Sequence, residues 1–326
     1  MRRRHLPLLL AAGTPAAALA QPAASPAVLD ATVAEAVRSF AALPGETALL
    51  VAASGPKGPL TVTHREEAPI FVGSCIKTLI LGAWLLEVEA GRLSLAEPLA
   101  VDDGLRSLVS PVLGQLTGRA TAQVVLEAMI AHSDNTATDI ALHRVGADKV
   151  RALIARMGLA GTRIPDSTRI MFSILAGAPP GSDLGWKGIN RAVQGQPPGP
   201  LRAPANPDQT MVSTARDLCS WYARALGGEV FATPAALAEF RRISAMADAM
   251  PLVAPPDVMA YGKGGSIDWN GAQAVAVAGQ MVAGPVRAAF FAGANWPGEV
   301  DSAPGVIARL GGALRTVLTR AATDLA

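Results

Sequence analysis

Residues 71–86 read FVGSCIKTLILGAWLL, and their reading decides the fold. The run is almost wholly apolar, so it predicts a core helix, stopped by Gly91. Yet Lys77 sits inside it, three residues after Ser74. Burying an ammonium without a partner costs several kcal/mol, about 2–7 even for an unpaired neutral polar group. Residues three apart share a helix face, so a serine at the helix start places its hydroxyl beside that ammonium. The helix N-terminus also favours developing negative charge. A lysine in a partly apolar site has a lowered pKa and can take a serine proton. A chance serine near a snorkelling lysine is the commoner meaning of S-x-x-K alone.

Outward from this stretch, strand patterns lie at both ends of the chain. ETALLVAAS and PLTVTHR flank the turn GPKG, and GAQAVAVAGQM and RAAFFAGAN read as strands near the C-terminus. Val33, Val37 and Phe40 mark a helix over 27–43, two or three helices fit within 121–157, and a last helix covers about 304–322. The expected class is α/β of the α+β type. An antiparallel sheet from the chain ends is flanked by helices, and an all-helical block, about 75–220, is inserted between the terminal strands. Residues 161–210 hold seven glycines and eight prolines, which predicts a long loop.

The chain has 326 residues, half of them apolar and 17% charged, a globular composition. Arg2, Arg3 and Arg4 precede a short apolar run that ends in Ala18-Leu19-Ala20. This predicts a signal peptide over 1–20, a mature domain over 21–326, and a periplasmic or secreted protein. Removing that segment takes away three arginines and no acid, leaving 25 basic against 26 acidic residues. No basic excess remains to attract nucleic acid, and no later run is long and apolar enough for a membrane span. The four histidines are scattered, and Cys75 and Cys219 read as small buried residues rather than a bridge. No metal or cofactor is expected.

Two further pieces carry chemistry. Ser133-Asp134-Asn135 follows an apolar helix, where it reads by itself as an N-cap. Lys263-Gly264-Gly265-Ser266 precedes AQAVAVAG, where it reads by itself as a turn whose glycines admit close backbone approach.

In this order the three pieces resemble the S-x-x-K, S-D-N and K-T-G set of class A β-lactamases and penicillin-binding proteins. HSDNTATDIAL, EAGRLSLAEPL and TMVSTARDL extend the resemblance over roughly residues 30–320. It implies Ser74 as the acylated nucleophile, Lys77 as its activating partner and Ser133 as proton shuttle to the leaving nitrogen. It implies Asn135 as a contact to the substrate amide and to Lys77, and Lys263 as electrostatic partner of the substrate carboxylate and Ser133. Gly264, Gly265 and Ser266 would line the substrate, with the N–H groups of Ser74 and Ser266 forming an oxyanion hole. A monomer acting on a small molecule or a peptidoglycan peptide is expected.

The sequence departs from that family in two places. Gly264 stands where the family has a hydroxyl that helps hold the substrate carboxylate, and no arginine is evident on the following strand. No glutamate occurs from 128 to 228, so the deacylating base of the Ω-loop is absent and the E-x-x-x-N pattern with it. Asp166, Asp183 and Asp208 are the acids of 161–210, and Asp166 is the best substitute by position. The expectation is a β-lactamase-like serine hydrolase with slow deacylation. A D-alanyl-D-alanine peptidase or esterase of the same fold, or a non-turnover module binding penicillin or cell-wall peptides, is the alternative.

Overall fold

A computed structural model describes residues 30–326. The expected signal peptide lies outside the described residues. Helix α1 (Ala31–Ala41) leads into a hairpin of β1 (Glu46–Gly55) and β2 (Gly58–His64). A short strand β3 (Ile70–Phe71) and a 3₁₀ turn (Gly73–Ile76) precede α2 (Lys77–Glu89). Then come β4 (Pro98–Val101), β5 (Gly118–Thr121), α3 (Ala122–Ala131), α4 (Asn135–Val145), α5 (Ala147–Arg156), α6 (Thr168–Leu175) and α7 (Gly185–Val193). β6 (Val212–Ser213), α8 (Ala215–Leu226), α9 (Pro234–Ser244) and the single turn α10 (Met250–Val253) lead to β7 (Met259–Trp269). β8 (Ala272–Ala283), β9 (Val286–Pro297) and α11 (Ala303–Asp324) complete the chain.

The main sheet has the order β2-β1-β9-β8-β7, with every pair antiparallel. Both chain ends therefore build one sheet, as the strand patterns predict. Consecutive residues of β1, Thr47 to Val51, are buried, which requires cover on both faces. Helices α1 and α11 pack on each other and on the sheet, and α8 packs against β1, β8 and β9.

Helix α2 is buried along nearly its whole length because α3, α4, α5 and α9 surround it. An all-round apolar sequence is what such a position demands. Trp221 Nε1 of α8 donates to Thr78 Oγ1 at 3.1 Å, and Thr78 Oγ1 donates to Tyr222 OH at 3.1 Å. These buried bonds tie α2 to the helix that rides on the sheet. Cys75 and Cys219 are both free and buried.

Two expectations are corrected. Residues 161–210 hold α6 and α7. Ser167 caps α6 by accepting from Ile170 N, and Met171, Phe172, Ile174 and Leu175 bury its apolar side, so local capping and packing override the glycine and proline signal. The YGKGGS stretch is no turn but part of edge strand β7, because its backbone pairs with β8 whatever its side chains.

Candidate active site

The chain entering the Ser74 turn is clamped from two sides. Ile70 and Phe71 pair with Ser213 and Val212 of β6, and Val72 N donates to Met211 O at 2.8 Å. On the other side Asn295 of β9 accepts from Phe71 N at 2.7 Å and donates to Phe71 O at 2.8 Å. Ser74 then lies half-buried in the 3₁₀ turn, against β7. A Cβ at Gly265 would lie 2.6 Å from Ser74 N and 2.9 Å from Cys75 N, so only glycine lets β7 pass this close. The Ser74 hydroxyl makes no hydrogen bond to Lys77 or Ser133.

Lys77 is completely buried, one helical turn beyond Ser74. Its Nζ donates to Ser133 O at 2.6 Å, to Ser133 Oγ at 3.3 Å and to Asn135 Oδ1 at 2.8 Å. Burial lowers its pKa well below the usual lysine value, and the charge of Lys263 lowers it further. Asp134, Asp139 and Asp248 pull weakly the other way.

Two local devices aim the S-D-N turn at Lys77. Ser133 has φ +58°, the left-handed region that a residue with a side chain rarely adopts. This turns both its carbonyl and its hydroxyl toward one amine. Asp134 caps α4 by accepting from Ala137 N at 2.8 Å, and its other oxygen accepts from Val112 N and Leu113 N, each at 2.8 Å. Asn135 in turn donates from Nδ2 to Leu108 O at 2.9 Å. The cap thus fixes the loop before β5 to the same turn.

Lys263 is 1% exposed, and its Nζ donates to Gly264 O at 2.9 Å. Burial lowers its pKa, with Cys75 and Asp248 opposing. A cleft of about 380 Å³ opens beside it, lined by Ser133, Asp248, Gly264, Ser266 and Val277 among others. Ser133, Lys263, Gly264, Gly265 and Ser266 therefore share one cleft, with Lys77 and Asn135 directly behind Ser133; Ser74 is not among its lining residues and packs on the Gly265 side of β7.

Asp166 lies elsewhere. It is exposed, pairs with Arg151 at 2.5 Å and accepts from Gln209 Nε2 at 2.7 Å. Arg151 lines a separate cavity of about 580 Å³ beneath residues 207–210. Asp183 pairs with Arg169 at 2.6 Å and Asp208 with Arg202 at 2.9 Å, so each acid of the 161–210 segment is held by an arginine. The residue of this segment that approaches Asn135 is Thr168, fully buried, whose Oγ1 lies 2.7 Å from Ser107 Oγ and 3.4 Å from Asn135 O.

The model of the Beta-lactamase enzyme family matches residues 32–314, nearly the whole described chain. The chain belongs to the beta-lactamase enzyme family. It is an enzyme of the serine-hydrolase, β-lactamase type. Its fold is similar to that of PBP-A, with 19% identity, TM-score 0.65 and 88% of this chain and 94% of that chain covered. It is similar to a β-lactamase from Sphaerobacter thermophilus, with 19% identity, TM-score 0.66 and 90% and 98% covered. The TLA-3 extended-spectrum β-lactamase shares 14% identity with TM-score 0.69, again with 90% and 98% covered. A search of curated proteins gives no match to the chain.

For a beta-lactamase-family chain the arrangement has a definite chemical capacity. A neutral Lys77 amine keeps two N–H bonds for Ser133 O and Asn135 Oδ1 and directs its lone pair at the Ser133 hydroxyl. The site can thus hold or pass a proton between Lys77 and Ser133 without moving a backbone atom. Sequence reasoning missed Asp248, Thr168 and Asn295. Asp248 lies in SAMADAMP, which carries no motif, and Asn295 acts across 224 residues, beyond any local signal.

Proposed function

We propose that this protein is an exported serine hydrolase, acylated at Ser74 by β-lactams or related amides and esters, which releases the acyl group slowly. The observation that carries the reading is the buried Lys77 held by Ser133 and Asn135 beside the Ser74 turn. Neutral Lys77, its lone pair turned from the Ser133 hydroxyl to Ser74, takes the Ser74 proton as Oγ attacks the carbonyl carbon. The N–H groups of Ser74 and Ser266 stabilise the resulting oxyanion, a contribution of roughly 10²–10³ in rate where one such donor has been removed. The C–N bond then breaks, Ser133 gives its proton to the leaving nitrogen, and Lys77 restores that proton to Ser133. Lys263 supplies positive potential at the same end of the cleft.

Release of the acyl group needs a base for water, worth roughly 10²–10⁴ in rate. The acids of 161–210 are engaged by arginines, and Thr168 offers Asn135 only a hydroxyl. This supports a long-lived acyl-enzyme. The basic, apolar and small-residue pattern of residues 1–20 supports export. Of the solved structures with a similar fold, a PBP-A mutant is an acyl-enzyme complex with penicillin G, and the same chemistry is proposed here. Intact-mass spectrometry after incubation with penicillin G tests the reading. One added penicillin on the native chain and none on Ser74→Ala is expected. A native chain of unchanged mass, or an adduct that survives Ser74→Ala, contradicts it.

A further inference from the structure

The cleft beside Ser133 is walled by β7, β8, α11, and α10 with the segment entering it. Gly264 and Ser266 lie on one face of β7, two residues apart. Their cross-strand partners on β8 are Val277 and Val275, both lining the cleft. No arginine is among the lining residues, and Lys263 is the one cation there. The segment entering α10 presses onto this wall, so that a Cβ at Gly264 would lie 2.6 Å from the Cβ of Ala249. Ala249 thus fills the space that a side chain at 264 would need. Its neighbour Asp248 lines the same cleft, is exposed, and makes no side-chain hydrogen bond or ion pair among the described residues. Asp248 is held there by its backbone, which donates to Ala131 O at 3.3 Å.

A free carboxylate on the substrate at this end of the cleft would meet two valines, a glycine and the unpaired carboxylate of Asp248. Lys263, already donating to Gly264 O, would be its one cationic partner, beside the Ser133 and Ser266 hydroxyls. We propose that Asp248 sets the substrate preference of this site, so that acyl donors whose leaving-group end is uncharged or cationic acylate Ser74 faster than those with a free carboxylate there, penicillins included. Asp248 is a specificity residue that faces the leaving group, and Val275 and Val277 supply the apolar surface on which such a group rests. Its field reaches the site lysines, since it raises the pKa of both Lys77 and Lys263 against the effect of their burial. The inference rests on acylation at Ser74.

The test uses three thioester acyl donors that share one acyl group and differ only at the leaving-group end. One ends in a carboxylate, one in an N-methyl carboxamide and one in an aminoethyl amide. Acylation of Ser74 is followed by intact mass in low salt, where surface charges are least screened. The expected order of rates is aminoethyl amide, then N-methyl carboxamide, then carboxylate. Asp248→Asn should raise the carboxylate-to-amine rate ratio by about tenfold, the scale of one unit charge acting several ångströms away. Asp248→Lys should raise it further, and added salt should compress all the ratios. The Asp248 side chain is exposed and unbonded, so neither variant removes a fold contact. A native preference for the carboxylate donor, or a ratio unmoved by both variants, overturns the inference while leaving acylation at Ser74 intact. Failure of all three donors to acylate the native protein overturns the acylation reading itself, and this inference falls with it.

Discussion

Asn295 holds Phe71 as a neighbouring strand would, accepting from its N–H at 2.7 Å and donating to its carbonyl at 2.8 Å. A single side chain on β9 thereby fixes the peptide three residues before Ser74. Asn295→Asp keeps the acceptor and loses the donor, and leaves a carboxylate facing a carbonyl. The expected cost is about 1–3 kcal/mol in urea unfolding, the range for a buried polar group left unpaired. Acylation by penicillin should slow as well. Unchanged stability would show that Asn295 does not hold this turn.

The lysine pair predicts the form of the pH profile. The reactive form of Lys77 is the neutral one, and burial together with Lys263 lowers its pKa well below 10.5. The acylation rate should therefore rise with pH and level off below the ordinary lysine range. Lys263→Gln removes a positive neighbour, so the Lys77 pKa rises and the ascending limb moves to higher pH. Stopped-flow acylation across a pH series checks both parts. A limb that moves to lower pH in Lys263→Gln would reverse the assigned coupling.

Asp139 is fully buried on α4 and accepts from Thr168 N at 2.6 Å and Arg169 N at 2.9 Å. It anchors the start of α6 next to the site. Burial raises its pKa to about 6, from 3.8. The folded protein then keeps a proton that the unfolded chain has already lost between about pH 4 and 6. Stability from this group accordingly falls as pH rises through that window. Asp139→Asn removes the titration and should flatten this component of the profile. It also places an amide N–H against one of the two donors, at a cost of about 1–3 kcal/mol. Urea midpoints of both proteins at a few pH values in that range measure the difference.

The strands and the central helix were legible because burial on all sides writes continuous apolar runs into the sequence. β1 and β9 each show long apolar runs, and α2 is apolar all round. Ser74 and Lys77 stood out because a lysine in such a helix needs a partner, and the 133–135 triplet through its resemblance to the family's S-D-N motif. Lys263-Gly264-Gly265-Ser266 was legible as a motif and misread as a turn, since glycine speaks for turns until a neighbouring strand pairs with it. Helices α6 and α7 were hidden among prolines and glycines, and their evidence is tertiary: the Ser167 cap, the start of α6 held by Asp139, and the ion pair of Arg169 with Asp183. Asp248 could not be found from sequence at all. Its position depends on Ala249 filling the space above Gly264, a contact between segments 15 residues apart.

Asp166 offers a prediction of no effect. Its carboxylate is occupied by Arg151 and Gln209, and the pair is exposed. Asp166→Asn should leave the lifetime of a penicillin adduct unchanged and cost at most about 1 kcal/mol in stability, as exposed ion pairs do. A markedly longer adduct lifetime in the variant, read from the decay of the adduct mass, would make Asp166 the base that activates water.

The central claim is that Ser74 is acylated faster than it is deacylated, and the most direct measurement is a rapid-mix time course of penicillin ring opening at substrate excess. The account predicts a fast phase equal to one ring opened per enzyme molecule, followed by a rate at least about 10²-fold slower, the low end for a missing general base. Linear, multiple-turnover hydrolysis from the first turnover, with no burst and no adduct in a parallel quenched sample, would contradict it.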